Sequence, residues 1–162
     1  EAIKKNKLNT DFIFNINQAG NPYAYYYNIC NRLSLSTNNM LLINPTITLS
    51  KKELPNLLVI DYSFSFSSHL KKKQLLLHDK KYVLDSVCII DNSGQHYCCV
   101  IHINNKEYGF DGASTKKITP FKWKHLLNKN KSWTFRGTNK DTAVKIEWNF
   151  TKGNSLLFYY LV

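Results

Sequence analysis

Apolar and polar positions alternate at period two through much of the chain, the spacing that lays one face of a strand on a core. Residues 11–17 alternate around Phe12, Phe14 and Ile16, which predicts a first strand ended by Gly20-Asn21-Pro22. Residues 23–35 fit a short helix and a tyrosine-rich strand pair equally well. Residues 40–43 and 46–49 read as two strands turned at Asn44-Pro45. From Leu54 onward the pattern is mostly β, with candidate strands at 57–64, 74–77, 82–91, 96–103, 107–110, 132–136, 143–149 and 156–161. Ile89-Ile90 and Val100-Ile101 are apolar on both faces, which predicts strands in the middle of a covered sheet. One helix is expected, with Thr119 as N-cap and Pro120 at its first position. It runs to about Asn128, with Trp123, Leu126 and Leu127 inward and Lys122 and Lys124 outward. The expected fold class is α+β, an antiparallel β-sheet-dominated domain with a few short helices.

Composition narrows the class without changing that picture. A chain of 162 residues, 43% hydrophobic and 14% aromatic, is a single globular domain long enough to bury a core. Residues 1–10 are polar and basic and are expected to fray. The longest apolar runs, such as residues 155–162, are far shorter than a bilayer span, and no secretory leader is recognisable, so no membrane span is expected. The two glycosylation sequons, at Asn130 and Asn149, are expected by chance in so Asn-rich a chain. Four cysteines stand at positions 30, 88, 98 and 99. Cys98 and Cys99 are adjacent on a strand, so they point to opposite faces and cannot share a zinc ion. No metal and no cofactor are expected. Buried free thiols suit a reducing compartment, which points to an intracellular protein of cytoplasm or nucleus.

The charge is +11, from 22 basic and 11 acidic residues. Lysines cluster at 4, 5 and 7, at 51–52, 71–73, 80–81 and 116–117, and at 122 and 124. Such a surface raises encounter rates with acidic partners, whether protein, nucleic acid or anionic membrane. Only Arg32 and Arg136 are arginines; the lysine excess fits codon bias toward A and T equally well. Arginine is the preferred residue for bidentate phosphate and base recognition, so its scarcity argues against a nucleic-acid protein.

The candidate chemistry lies between Ser93 and Asp111. Strands on either side of Asn104-Asn105 read as a hairpin with a two-residue loop. Ile103 then faces Lys106, Cys98 faces Asp111, and His96 stands one diagonal step from Asp111. Diagonal neighbours have Cβ atoms roughly 7–8 Å apart, a gap that an imidazole and a carboxylate close together. A one-residue slip puts them on opposite faces. A histidine oriented by an aspartate is two thirds of a cysteine- or serine-hydrolase site. The plain alternative is a half-buried polar histidine beside a strand-end aspartate. Cys98 shares a face with His96 but reads as a core thiol, as do Cys88 and Cys99. Cys30, outside the sheet, is the candidate nucleophile within this chain. Trp123, Trp133 and Trp148 read as core or rim aromatics.

Gly94-Gln95-His96-Tyr97 followed by Tyr108-Gly109-Phe110-Asp111 resembles the "GHY … WYxFDD" region of ubiquitin-specific cysteine peptidases. Phe110-Asp111-Gly112 ahead of Ile118-Thr119-Pro120-Phe121 is similar to the "YDG" variant of the peptidases acting on SUMO. Leu54-Pro55-Asn56-Leu57-Leu58-Val59-Ile60 resembles their "LPxxLxxxL" strand. Tyr82-Val83-Leu84-Asp85-Ser86-Val87 resembles "YxLxxV", and Leu156-Leu157-Phe158-Tyr159 the closing "YxLFY". The resemblance spans roughly residues 50–162 and implies the β-rich C-terminal (palm) half of such a peptidase, within the papain-like superfamily. It implies His96 as general base, Asp111 as its orienter, and Gly94, Gln95 and Tyr97 beside the substrate tail. Gln95 replaces the glycine that commonly precedes the histidine and adds a side chain where the Gly-Gly tail passes.

The family's cysteine lies in a "GNTCYxN" box more than a hundred residues before the "LP" strand, whereas 53 residues precede Leu54 here. Gly20-Asn21-Pro22-Tyr23 resembles the start of that box, without its cysteine. Residues 1–50 read as a remnant or divergent N-terminal part, and a first residue of Glu suggests a processed, excised or split protein. Three functions remain open. The first is a peptidase or isopeptidase for ubiquitin or SUMO, its thiol supplied by Cys30, by a missing N-terminal half or by a second chain. The second is an inactive pseudopeptidase that binds a modifier or another acidic protein. The third, less favoured, is a basic nucleic-acid-associated protein.

Overall fold

The structure, a computed structural model, describes residues 40–46, 48–49, 54–62, 66, 68–94, 96–140 and 143–162, which fall in one compact unit, Met40–Val162. The strand expected at 11–17, the ambiguous segment 23–35, Cys30 and Gln95 lie outside the described residues. Eight strands form one mixed sheet: β1 (Met40–Ile43), β2 (Leu57–Tyr62), β3 (Gln74–Leu77), β4 (Lys80–Ile90), β5 (Tyr97–Ile103), β6 (Lys106–Phe110), β7 (Ile118–Pro120) and β8 (Ser155–Leu161). Their order across the sheet is β1-β2-β8-β4-β5-β6-β7, with β3 also paired to β4. Every pairing is antiparallel except β1 with β2, which is parallel.

The sequence pattern explains why the sheet has this centre. The two-sided apolar strands β4 and β5 are neighbours inside the order, flanked by β8 and β6. Their alternation sorts one face into the core: Val87, Ile89, Cys98, Val100, Leu157 and Tyr159 are buried there. Against that face packs the irregular segment 121–150, which contributes Trp123, Leu126, Leu127, Phe135, Trp148 and Phe150. The opposite face carries Tyr97, Ile103, Phe110, Ile118 and Tyr160, all exposed. A bulge between Leu84 and Ser86 lets Asp85 interrupt the β4–β8 register without turning the core face outward.

Three expectations fail for identifiable reasons. No α-helix occurs among the described residues, so the helix from Pro120 to Asn128 is absent. Thr119 and Pro120 instead pair with Gly109 and Tyr108 on the outer strand β7, a sheet edge where a proline costs no ladder hydrogen bond. Beyond it the backbone is held by tertiary partners: Phe121 N donates to Glu107 O and Lys124 N to Glu107 Oε2, while Trp123 Nε1 donates to Ile101 O. Only isolated turns remain, closed by Leu126 N to Trp123 O and Lys129 N to Leu126 O. Likewise the predicted strands at 132–136 and 143–149 reduce to a single bridge between Trp133 and Trp148. The turn at Asn44-Pro45 is real, since Asn44 Oδ1 accepts from the Thr46 N–H and hydroxyl. It does not return β1 along itself, however; Thr46, Thr48 and Leu49 lie in no strand, and β1 pairs with β2.

Candidate active site

The β5–β6 hairpin has the two-residue loop that its Asn-Asn sequence favours. Asn104 and Asn105 both take positive φ, 47° and 61°, the left-handed pair that matches the twist of a tight hairpin. Ile103 faces Lys106 and Cys99 faces Phe110, so the next pair outward is Cys98 with Asp111. At that end His96 reaches across, and its Nε2 lies 2.6 Å from Asp111 Oδ1. Asp111 is buried, while the His96 side chain keeps 29% exposure. The two residues singled out by their spacing are thus in direct contact.

Each partner is held by further groups. Asp111 Oδ1 also accepts from the Ala113 N–H at 3.0 Å, and Oδ2 accepts from the Thr138 hydroxyl at 2.6 Å. Burial alone raises the Asp111 carboxyl, but the hydrogen bonds from His96, Thr138 and Ala113, with the charge of His96, outweigh it. The carboxyl is held below its ordinary range. The His96 backbone is clamped to Asp91: His96 N donates to Asp91 Oδ1 at 2.7 Å, and Asp91 N donates to His96 O at 2.8 Å. Asp91 Oδ2 takes the Ser93 N–H at 2.9 Å and the Ser93 hydroxyl, closing the turn that ends at Gly94. Trp148 Nε1 donates to His96 O, and its ring lies 5.9 Å from the imidazole.

This arrangement sets the chemistry of the imidazole. A carboxylate accepts only, so the ring nitrogen facing Asp111 carries the proton. In the neutral ring the basic lone pair is then on Nδ1, and no described residue hydrogen-bonds that atom. Asp111 thus fixes the orientation of the ring through Nε2 and leaves Nδ1 as its acceptor position.

The thiols sort differently. Cys98 lies on the His96 face of β5 but is 1% exposed. Burial, and then Cys99, Asp111 and Asp91, push its thiol well above the ordinary range, the reverse of what a nucleophile needs. Cys88 and Cys99 face each other across β4–β5 on the other side of the sheet and share a hydrogen bond. That bond lowers Cys99 against the opposing effect of burial and raises Cys88. Among the described residues no cluster of three His, Cys, Asp or Glu side chains is placed to hold a metal ion. Gly94 sits exposed in the turn, at a φ of 75°. Tyr97 alternates onto the face away from His96 and is exposed. Asp91, Thr138 and Trp148 are the site residues that spacing arguments missed. Asp91 carried a signal, since Asp-Asn-Ser-Gly is a turn sequence in which the Asp side chain caps its own backbone. Thr138, 27 residues from Asp111, carried none.

No helix among the described residues is long and apolar enough to cross a membrane. No protein-family model and no curated protein matches the chain. An essential yeast splicing factor, known from a crystal structure, is similar to it at 16% identity and a TM-score of 0.41. The similarity covers 78% of this chain and 32% of that one, so this chain spans about a third of that structure's length.

Proposed function

We propose that this chain carries the histidine–aspartate half of a thiol-peptidase site acting on the C-terminal tail of a ubiquitin-like modifier, on an α+β sheet like the palm of ubiquitin-specific peptidases. The observation that carries this reading is the 2.6 Å contact between His96 Nε2 and Asp111 Oδ1, made across the strands that bear the family-like motifs. In the reaction His96 Nδ1 takes the proton of a thiol, and Asp111 stabilises the resulting imidazolium. The thiolate attacks the carbonyl of the last glycine of the Gly-Gly tail, forming an acyl-enzyme as His96 protonates the departing amine. His96 then takes a proton from water, which releases the free tail and restores the thiol. Cys30, or a thiol from a second chain or a further N-terminal segment, supplies the nucleophile. The net charge of +11 suits an acidic modifier, SUMO more than ubiquitin. The free thiols fit a cytoplasmic or nuclear setting.

A pseudopeptidase that binds without cleaving is the second reading. The exposed apolar side chains of Tyr97, Ile103, Phe110, Ile118 and Tyr160 on one sheet face favour it, since such patches mark protein contacts. Hydrolysis of a fluorogenic amide at the C-terminus of SUMO or ubiquitin separates the two. An active peptidase releases fluorophore and loses roughly 10²–10⁴ in rate on His96→Ala, the scale of general acid–base catalysis. Saturable modifier binding with no release by the wild type excludes a site complete within this chain and favours the binding module.

A further inference from the structure

We infer that Thr138 is a positioning residue for His96, acting through Asp111, and that the turn carrying it is built for that purpose. The two Asp111 oxygens divide their work: Oδ1 takes His96 Nε2 and the Ala113 N–H, and Oδ2 takes the Thr138 hydroxyl. A carboxylate tethered at one oxygen swings about its χ2 bond, whose torsional wells are broad and soft. Tethering at both oxygens fixes the plane of the carboxylate and hence the direction from which it meets the imidazole. Thr138 is 2% exposed, so no water replaces its hydroxyl without rearrangement.

The surrounding turn explains how a residue so far along the chain arrives there. Thr138 N donates to Phe135 O, and Thr115 N donates to Arg136 O at 2.8 Å, stapling this turn to the loop that follows Asp111. Between them Gly137 has a φ of 92°, and a Cβ there falls 2.2 Å from Thr115 Oγ1. Only glycine allows both the backbone conformation and the close approach. Ser114 ties the same loop down, its hydroxyl donating to Asp111 O. Two loops from distant sequence are thus locked together around one carboxylate, with the hydroxyl of Thr138 as their contact to its second oxygen.

The catalytic consequence rests on the peptidase reading, but the positioning role is measurable without turnover. Carbon-13 titration of the Asp111 carboxyl and nitrogen-15 spectra of the His96 ring are recorded on the full chain for wild type, Thr138→Val and Thr138→Ser. In Thr138→Val the Asp111 carboxyl titrates at higher pH and the His96 ring loses its uniform Nε2–H signature; Thr138→Ser restores both. Thr138→Ala gives the same comparison should valine disturb folding. Unchanged titration and tautomer in folded Val and Ala variants overturn the inference, as does failure of serine to restore them. With an active enzyme, Thr138→Val also slows modifier cleavage roughly ten- to a hundredfold, the scale of a misplaced reacting group, and serine recovers it. Absence of wild-type cleavage rules out a peptidase complete within this chain, while the titration and tautomer spectra still decide the role of Thr138.

Discussion

Asp111 is buried at 1% exposure and stays ionised because donors on both oxygens replace the water it gave up. Asp111→Asn puts an amide where acceptors are needed, so either His96 or Thr138 meets a donor. We expect a loss of roughly 1–3 kcal/mol at neutral pH, measured by chemical denaturation. The pH dependence follows from the depressed carboxyl. Its contribution is complete above the unfolded carboxylate range and is lost as pH falls through the lower folded value. The gap between wild type and Asp111→Asn therefore does not narrow from neutral pH to about pH 5 and closes only in stronger acid. A gap that closes near pH 6 contradicts the assignment. At this scale the His96–Asp111 pairing was legible because a two-residue loop fixes the register of everything beyond it. The clamp of Asp91 on the His96 backbone was half-legible as a turn. The Thr138 contact was not, because no local rule relates residues 27 apart through a loop.

The β5–β6 hairpin depends on two consecutive left-handed residues, which asparagine tolerates and β-branched residues do not. Asn105→Val should cost about 1–2 kcal/mol. Because register carries the site, it should also broaden the His96 resonances. Asn105→Gly should be tolerated on both counts. Thermal melts and one histidine spectrum test this; a valine variant with wild-type stability refutes the turn assignment. Close packing sets a second constraint on β6: a Cβ on Gly109 falls 2.2 Å from the Phe135 ring. Gly109→Ala should therefore destabilise by roughly 1–3 kcal/mol through overpacking, which the same melts measure. The elements that sequence predicted well are those whose partners are strands with strong period-two patterns. The segment from Phe121 to Phe150 was misread because its backbone polar groups are satisfied by side chains and by other elements. Trp123, Trp133 and Trp148 are drawn onto the sheet, and that packing overrides local helix and strand preference.

Across the whole molecule the sheet has one face committed to the core and one that is apolar yet open at Tyr97, Ile103, Phe110, Ile118 and Tyr160. The sheet dominance and the central place of β4 and β5 were legible from two-sided apolar strands. The parallel pairing of β1 was not, because a four-residue strand carries no orientation signal. With a charge of +11, association with an acidic modifier should be steered electrostatically. Its on-rate should fall on the order of tenfold or more between low and high salt while the off-rate changes little. Stopped-flow binding tests this, and an on-rate insensitive to salt removes charge from the account. The central claim, that His96 and Asp111 serve a thiol acting on a modifier's tail, meets its most direct test in covalent capture. Ubiquitin and SUMO bearing a thiol-reactive group at their C-termini are incubated with wild type, Cys30→Ala and His96→Ala. The account predicts a stable adduct with wild type that is lost in His96→Ala, with loss in Cys30→Ala identifying the nucleophile. Undiminished labelling in the folded His96→Ala protein contradicts it, and no labelling of the wild type contradicts a site complete within this chain.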